Sequence, residues 1–398
     1  MDVESSVAGS VVSQGRYGVR VPVGGLFLFA IAAGYLMSLL PLSLPMLEME
    51  SSMAAWLASA FYAGLLFGAL WIEPIVRVLG HRRALVLFLL IVAATVALMI
   101  ALPSQWLWLG LRVVAGAATA GVFVVVESWL LLVEDERQRA SRLGLYMAAL
   151  YGGNALGQLL MSQFGVSGML PFLLVLALLV LAALPPLLGR HCSPLVQQHH
   201  QLPLSSLGKL KRSAVLGCMI SGLILGPMYG LLPVYLSHYA SAGELTGMMM
   251  AVLIFAGMAI QPLTGWLSAR MSKTLLLALL SSLGTLAVVV LVLASTPLEL
   301  ALAMLLLGMS AFALYPVAIS QACDGMDRSK IVSITQLMLL SYSMGSVLGP
   351  VLVNWRGAGV AQLPSYLGGV FMATALYMLV SALSKTRTDV VEPPAGLE

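Results

Sequence analysis

The chain has 398 residues, of which 60% are hydrophobic and 9% charged, with a formal net charge of +4. Soluble domains carry roughly a quarter charged residues, so this composition excludes a soluble domain and leaves a multi-pass membrane protein. Three cysteines build no disulfide framework or metal spacing, and no basic stripe interleaved with aromatics marks nucleic acid as a partner.

In chain order, residues 1–20 hold Asp2, Glu4, Arg16 and Arg20 without a long apolar run, and read as a cytoplasmic tail with no cleavable signal. Apolar runs follow at 21–47, 53–76, 84–103, 106–132, 140–164 and 168–189. A hydrophilic break at 190–212 contains His191, Cys192, His199, His200 and several basic residues, and reads as a cytoplasmic linker. Six further runs lie at 213–237, 245–269, 274–295, 298–322, 331–354 and 363–384, and 385–398 forms a second tail. About 20 apolar residues in a helix cross the hydrocarbon core, so each run can span. The expected fold is an all-α membrane protein with twelve transmembrane helices in two six-helix bundles, 21–189 and 213–384.

The bundles repeat one another. Gly34 and Gly226, Gly116 and Gly308, Gly153 and Gly345, and Gly157 and Gly349 are each separated by 192 positions. A tandem repeat of apolar helical units is a common plan for secondary transporters, with the substrate site where the halves meet. Orientation follows from basic residues. Eighteen of the 20 Lys and Arg fall in the tails, the linker or the loops on their side, against Arg356 on the other side and Arg112 inside a span. The positive-inside rule then puts both termini in the cytoplasm.

Two residues in the fourth span carry intramembrane charge. Glu127 lies seven positions before the acidic run Glu134-Asp135-Glu136, about 10 Å inside the interface at roughly 1.5 Å per residue. A carboxylate there is costly, and it suits either a proton carrier or a structural anchor paired with Arg142 or Arg77. Arg112 stays charged at any working pH and cannot carry the proton. Its place in the sequence suits an anion holder or a side chain snorkelling to the nearer face. Asn154 and Gln158, one turn apart in the fifth span, can bond a solute or a neighbouring helix. Tyr35, Tyr62, Tyr229, Gln261, Tyr315 and Gln336 supply further polar groups at mid-span. Aromatic and amide side chains together suit a neutral or amphiphilic ligand.

The segment Gly80-His-Arg-Arg83 resembles the end of the helix 2–3 signature of the major facilitator superfamily, Gly-x-x-x-Asp-Arg-x-Gly-x-Arg-Arg. Glu73 stands at the signature's first Gly and Arg77 at its Asp. Four residues apart, these two can pair locally for about 0.3–0.5 kcal/mol. Arg112-Val-Val-Ala-Gly116 resembles the superfamily's helix-four signature. Gly144, Gly153 and Gly157 resemble the helix-five pattern of its drug/proton antiporters, with Gln158 at that pattern's Pro, and Gly345-Ser-Val-Leu-Gly349-Pro350 is a local copy in the eleventh span. The run Val126-Glu-Ser-Trp-Leu130 is similar to the bacterial YcaD-like branch.

The resemblance implies the major facilitator fold, with helices one, four, seven and ten lining a cavity and two, five, eight and eleven gating it. Glu127 is the candidate for proton coupling, with the structural anchor as its alternative. Arg112, Tyr35, Tyr62, Asn154, Gln158, Tyr229, Gln261, Tyr315 and Gln336 go to the cavity. Glu73, Arg77, Gly80, Arg82, Arg83, Gly153, Gly157, Gly345, Gly349 and Pro350 go to gating.

The expected activity is alternating-access transport, as proton-coupled export of a small apolar or amphiphilic solute. The alternatives are import of a metabolite by proton symport or uniport, and a transporter-like sensor or scaffold without flux. The expected partners are the solute, the proton and membrane lipid, with the protein a monomer. No phosphate-binding Gly-x-x-x-x-Gly-Lys-Ser/Thr loop occurs, and the five histidines form no ligand pair on a helix, so neither an enzyme, a cofactor nor a metal is expected.

Overall fold

The computed structural model describes residues 19–131, 136–188, 210–239, 243–326, 331–355 and 359–391. The first tail, most of the 190–212 linker with its three histidines, Glu134, Asp135, Arg356 and the side chain of Glu73 lie outside the described residues.

The described chain is helical: α1 (Arg20–Ser43), α2 (Met53–Ala101), α3 (Gln105–Leu131), α4 (Glu136–Phe164), α5 (Leu170–Leu188), α6 (Arg212–Leu236), α7 (Gly243–Ala259), α8 (Gln261–Ser268), α9 (Lys273–Leu293), α10 (Pro297–Cys323), α11 (Ile331–Asn354) and α12 (Leu363–Val391). Ten segments among the described residues are long and apolar enough to cross a membrane. The expected second span is present as the shorter apolar helix Met53–Gly68. The expected fifth span is α4, whose middle is diluted by Gly152, Gly153, Asn154, Gly157 and Gln158.

Three boundaries differ from the sequence reading. The second and third spans form one continuous element, α2, that turns at Gly80, where φ is 73° and ψ 157°. That backbone conformation is open to glycine and strained for other residues, which accounts for a glycine between two long apolar runs. The eighth span is divided into α7 and α8 just before Pro262, which has no N–H to continue the ladder. Helix α12 runs on to Val391, past the expected end of the last span at 384.

The twofold repeat is expressed in packing. Within the first half α1 packs on α4 and α5, and within the second α6 packs on α11 and α12. Between the halves α4 meets α7 and α2 meets α11, which are equivalent pairs under the repeat, and α1 meets α6. The paired glycines are the points of closest approach. A Cβ on Gly157 would strike the carbonyl of Ile31, and one on Gly349 the carbonyl of Leu223; Gly116 and Gly308 abut the carbonyls of Phe61 and Leu253. Every partner is shifted by the same 192 positions as the glycine it meets. Small residues at helix crossings let backbones close up where lipid offers no hydrophobic drive for association.

Among the described residues the halves are sealed at one end. At the end that carries the α1–α2, α4–α5, α6–α7 and α11–α12 connections, the Ser59 hydroxyl donates to the Val347 carbonyl at 2.8 Å. There a Cβ on Gly230 would come within 2.5 Å of the Ala58 Cβ, and one on Gly247 within 2.9 Å of the Ser162 Cβ. Toward the other end the seam opens. Ser141, Leu143, Gly144, Leu145, Met147 and Ala148 of α4 are exposed around nearly the whole helix, as are Pro262, Leu263, Gly265 and Trp266 of α8.

Candidate functional site

The site is built on the walls of that opening. On α3, Val122, Val125, Val126 and Trp129 are buried against the first half, and the same helical turn directs Glu127 away from them. Glu127 keeps accessible surface although protein surrounds it on most sides, which places the carboxylate on an internal wall rather than against lipid. The hydroxyls of Tyr146 on α4 and Tyr315 on α10 lie within its electrostatic reach, so both halves face it. Among the described residues no ion pair joins it to Arg142 or Arg77.

Aromatic side chains from four helices continue the wall inward. Tyr315 lies 4.9 Å, centroid to centroid, from Tyr342 of α11. Phe312 of α10 is edge-on to Tyr151 of α4 at 5.7 Å and to Tyr229 of α6 at 5.8 Å. The Tyr342 hydroxyl is electrostatically coupled to those of Tyr62, Tyr151, Tyr229 and Tyr315. Tyr151, Tyr229, Tyr315 and Tyr342 are each half-buried while enclosed by protein, so they border an internal space.

Arg112 occupies the sealed end of the site. Its guanidinium carbon lies 4.2 Å over the Phe61 ring, and its Nε donates to the Leu57 carbonyl at 3.4 Å, so α3 is held to α2. The Tyr62 hydroxyl is its electrostatic neighbour. Arg112 and Glu127 stand fifteen positions apart on one helix, about 22 Å, and bracket the tyrosines from opposite ends.

The structure therefore brings Glu127, Tyr62, Tyr229, Tyr315 and Arg112 around one space, and it places the other expected cavity residues elsewhere. Tyr35 is buried in the first half and donates to the Gly165 carbonyl at 2.8 Å. Gln158 is fully buried between α1 and α4, accepting from the Ser38 hydroxyl at 2.8 Å and donating to the Gly34 carbonyl at 2.6 Å. Asn154 donates to Leu150 of its own helix at 2.8 Å. Gln261 donates to Gly257 at 3.0 Å and to Phe312 at 3.3 Å, bridging the bend in the eighth span to α10. Gln336 is exposed near the start of α11.

Of the expected gating residues, Arg82 donates through Nε to the Pro186 carbonyl at 2.6 Å and also reaches the Leu187 carbonyl, closing the end of α5. Arg77 and Arg83 are exposed, and Gly153, Gly157, Gly345 and Gly349 are helix crossings, with Pro350 buried beside the last. In the second half Lys273 bonds the Ser320 carbonyl at 3.2 Å and the Asp324 carboxylate at the end of α10, the counterpart of α3 rather than of α5.

Four lining residues escaped the sequence reading: Tyr146, Tyr151, Phe312 and Tyr342. Tyr146 sits among the residues that follow the linker of the fourth and fifth spans, and Tyr342 three positions before Gly345, so proximity to motif residues was the available signal. Among the described residues no group of His, Cys, Asp and Glu is placed to hold a metal ion.

The family model of the Major Facilitator Superfamily matches residues 23–350. The chain belongs to the major facilitator superfamily. It is 35% identical over 333 residues to the uncharacterised MFS-type transporter YcaD of Salmonella dublin and of Salmonella enteritidis PT4, covering 82% of this chain and 85% of theirs. Among solved structures, the nucleoside transporter NupG superposes with a TM-score of 0.73 at 14% identity, over 94% of this chain and 99% of that one. A variant of NupG gives 0.76 at 15% identity, over 91% and 98%. At that identity the match with NupG is one of fold. The superfamily expectation, the twelve-helix fold and the assignment as a transporter rather than an enzyme are thus established. The chain is a multi-pass membrane protein, and transporters of this superfamily bind small-molecule solutes.

Proposed function

We propose that this transporter exports a small apolar or amphiphilic solute in exchange for protons, with Glu127 as the carboxyl group that loads and releases the proton. The position of Glu127 supports the reading most: it is an intramembrane carboxylate on the wall of the opening, without an ion-pair partner among the described residues, facing hydroxyls of both halves. A group held by one fixed salt bridge would not be free to exchange its proton with either side. Charge in a span is a functional marker because its cost is otherwise avoidable.

The basic residues of the tails and even-numbered loops orient the open end toward the cytoplasm of the inner membrane, with both termini on that side. In this reading the conformation is inward-facing. Residues 21–189 and 213–384 rock as two bodies, the protein works as a monomer, and the glycine crossings let the seam close and open.

The test starts from a thermal-shift screen of purified protein against metabolites and drugs, followed by reconstitution of the hits in liposomes. Addition of a hit should dissipate an imposed pH gradient, and Glu127→Gln should abolish that response. Wild-type rates with an unchanged pH dependence in Glu127→Gln would reject the carrier role.

A further inference from the structure

We infer that the tyrosine-lined space is a binding site for a lipophilic monovalent cation, with Glu127 as its counter-charge and the rings of Tyr151, Tyr229, Phe312, Tyr315 and Tyr342 as its walls. This deepens the proposal above and rests on its premise that the space between the halves holds the solute.

The charge balance of the walls carries the inference. Among the described residues, the carboxylate of Glu127 is an acidic group on the lining. No ion pair joins it to a described basic residue. Arg112 is turned onto Phe61 and Leu57 at the sealed end, about 22 Å away along α3. Arg142 lies one turn before Tyr146 toward the open end, and no ion pair joins it to Glu127. The tyrosine hydroxyls within its reach can each accept a hydrogen bond.

Aromatic faces carry negative electrostatic potential and attract cations within about 6 Å of the ring centroid. The ring pairs are spaced 4.9 Å for Tyr315 and Tyr342, 5.7 Å for Tyr151 and Phe312, and 5.8 Å for Tyr229 and Phe312, in tilted or edge-on arrangements. A dispersed organic cation loses little hydration on entering such a site, whereas a small ion such as sodium loses much and finds no cage of carboxylates or carbonyls. An organic anion would meet Glu127 and the ring faces, and both repel it. The surroundings thus select a bulky cation over a neutral body of the same shape, and that body over an anion.

Two probes of nearly the same shape and opposite sign test this: tetraphenylphosphonium and tetraphenylborate, titrated calorimetrically into the detergent-purified full chain at pH 8. The phosphonium is expected to bind at least tenfold more tightly than the borate, and that ratio to fall to within twofold in Glu127→Gln. Should Glu127→Gln not survive gel filtration, the wild-type ratio decides alone. Tyr342→Ala, which removes one wall and keeps the carboxylate, is then expected to weaken phosphonium binding roughly fivefold. Equal affinities, tighter borate binding, or a ratio unchanged in Glu127→Gln overturns the inference. Proton release in the same titration reports on coupling separately. Phosphonium binding that releases no protons at any pH from 5 to 8 upholds the cation site and sinks proton exchange at Glu127. Proton-driven flux of neutral solutes with no preference for phosphonium sinks the cation site and leaves the exchange standing.

Discussion

Gly34 of α1 lies against the backbone of Asn154 of α4 so closely that a Cβ on it would stand 2.7 Å from the Asn154 Cα. Gly226 of α6 stands the same way to Ser346 of α11, at 3.0 Å, and both pairs are related by the 192-residue shift. The contact is backbone to backbone, so no flexible side chain can yield. Gly34→Leu and Gly226→Leu are each expected to destabilise the protein by about 1–3 kcal/mol, and by similar amounts. Gly144, which resembles the same antiporter pattern as Gly153 and Gly157, has open space around it. Gly144→Ala should therefore stay within about 0.5 kcal/mol of wild type. Thermal unfolding in detergent, followed by loss of the monodisperse gel-filtration peak, ranks all three.

Gln158 should act through structure rather than through the solute. Its amide is satisfied by Ser38 and Gly34, and none of its surface is accessible. Gln158→Leu removes both bonds and leaves the Ser38 hydroxyl to find another acceptor, at a cost of roughly 0.6–2 kcal/mol. Melting temperature should drop while the affinity for hits of the thermal-shift screen stays within twofold of wild type. A selective loss of affinity at unchanged melting temperature would return Gln158 to the solute site.

These two residues show what could and could not be read from the chain. Span positions and the repeat were legible because apolar run length and a constant offset are properties of the string itself. The turn at Gly80 was legible only as a break, since its left-handed backbone leaves no trace beyond the glycine. The site was half legible. Glu127 stands out because charge is rare in a span, whereas Gln158 stands out as a rare polar amide yet serves packing, the helix neighbour being invisible in sequence. Tyr151, Phe312 and Tyr342 were missed for the opposite reason: an aromatic in a Leu-rich helix costs nothing, so only the tertiary arrangement shows that three helices aim them at one space.

Arg82 and Arg83 are adjacent and chemically identical, and their environments separate them. Arg82 supplies donors to the carbonyls of Pro186 and Leu187, where the helix end has no N–H of its own to offer. Arg83 is exposed. Arg82→Gln is expected to cost about 1–2 kcal/mol, and Arg83→Gln under about 0.5 kcal/mol. Chemical unfolding followed by tryptophan fluorescence distinguishes them. Equal effects would mean that the α5 contact contributes nothing beyond charge at the surface.

The sealed seam offers the most direct test of alternating access. Gly230 of α6 and Ala58 of α2 face one another across the halves, with the added Cβ of Gly230 at 2.5 Å from that of Ala58. Disulfides hold their Cβ atoms about 3.8 Å apart, so the seam must part by about 1.3 Å to accommodate the bond. In a background with Cys192, Cys218 and Cys323 replaced by Ser, Ala58→Cys with Gly230→Cys should crosslink under mild oxidant in the membrane. The bond ties the halves at the end that must part for the solute to leave on that side. Flux should stop on oxidation and recover on reduction, while either cysteine alone leaves it intact. Binding from the open end should survive the crosslink, because the tyrosines and Glu127 lie beyond the tie. Undiminished flux from a fully crosslinked population would mean that this seam does not open during transport.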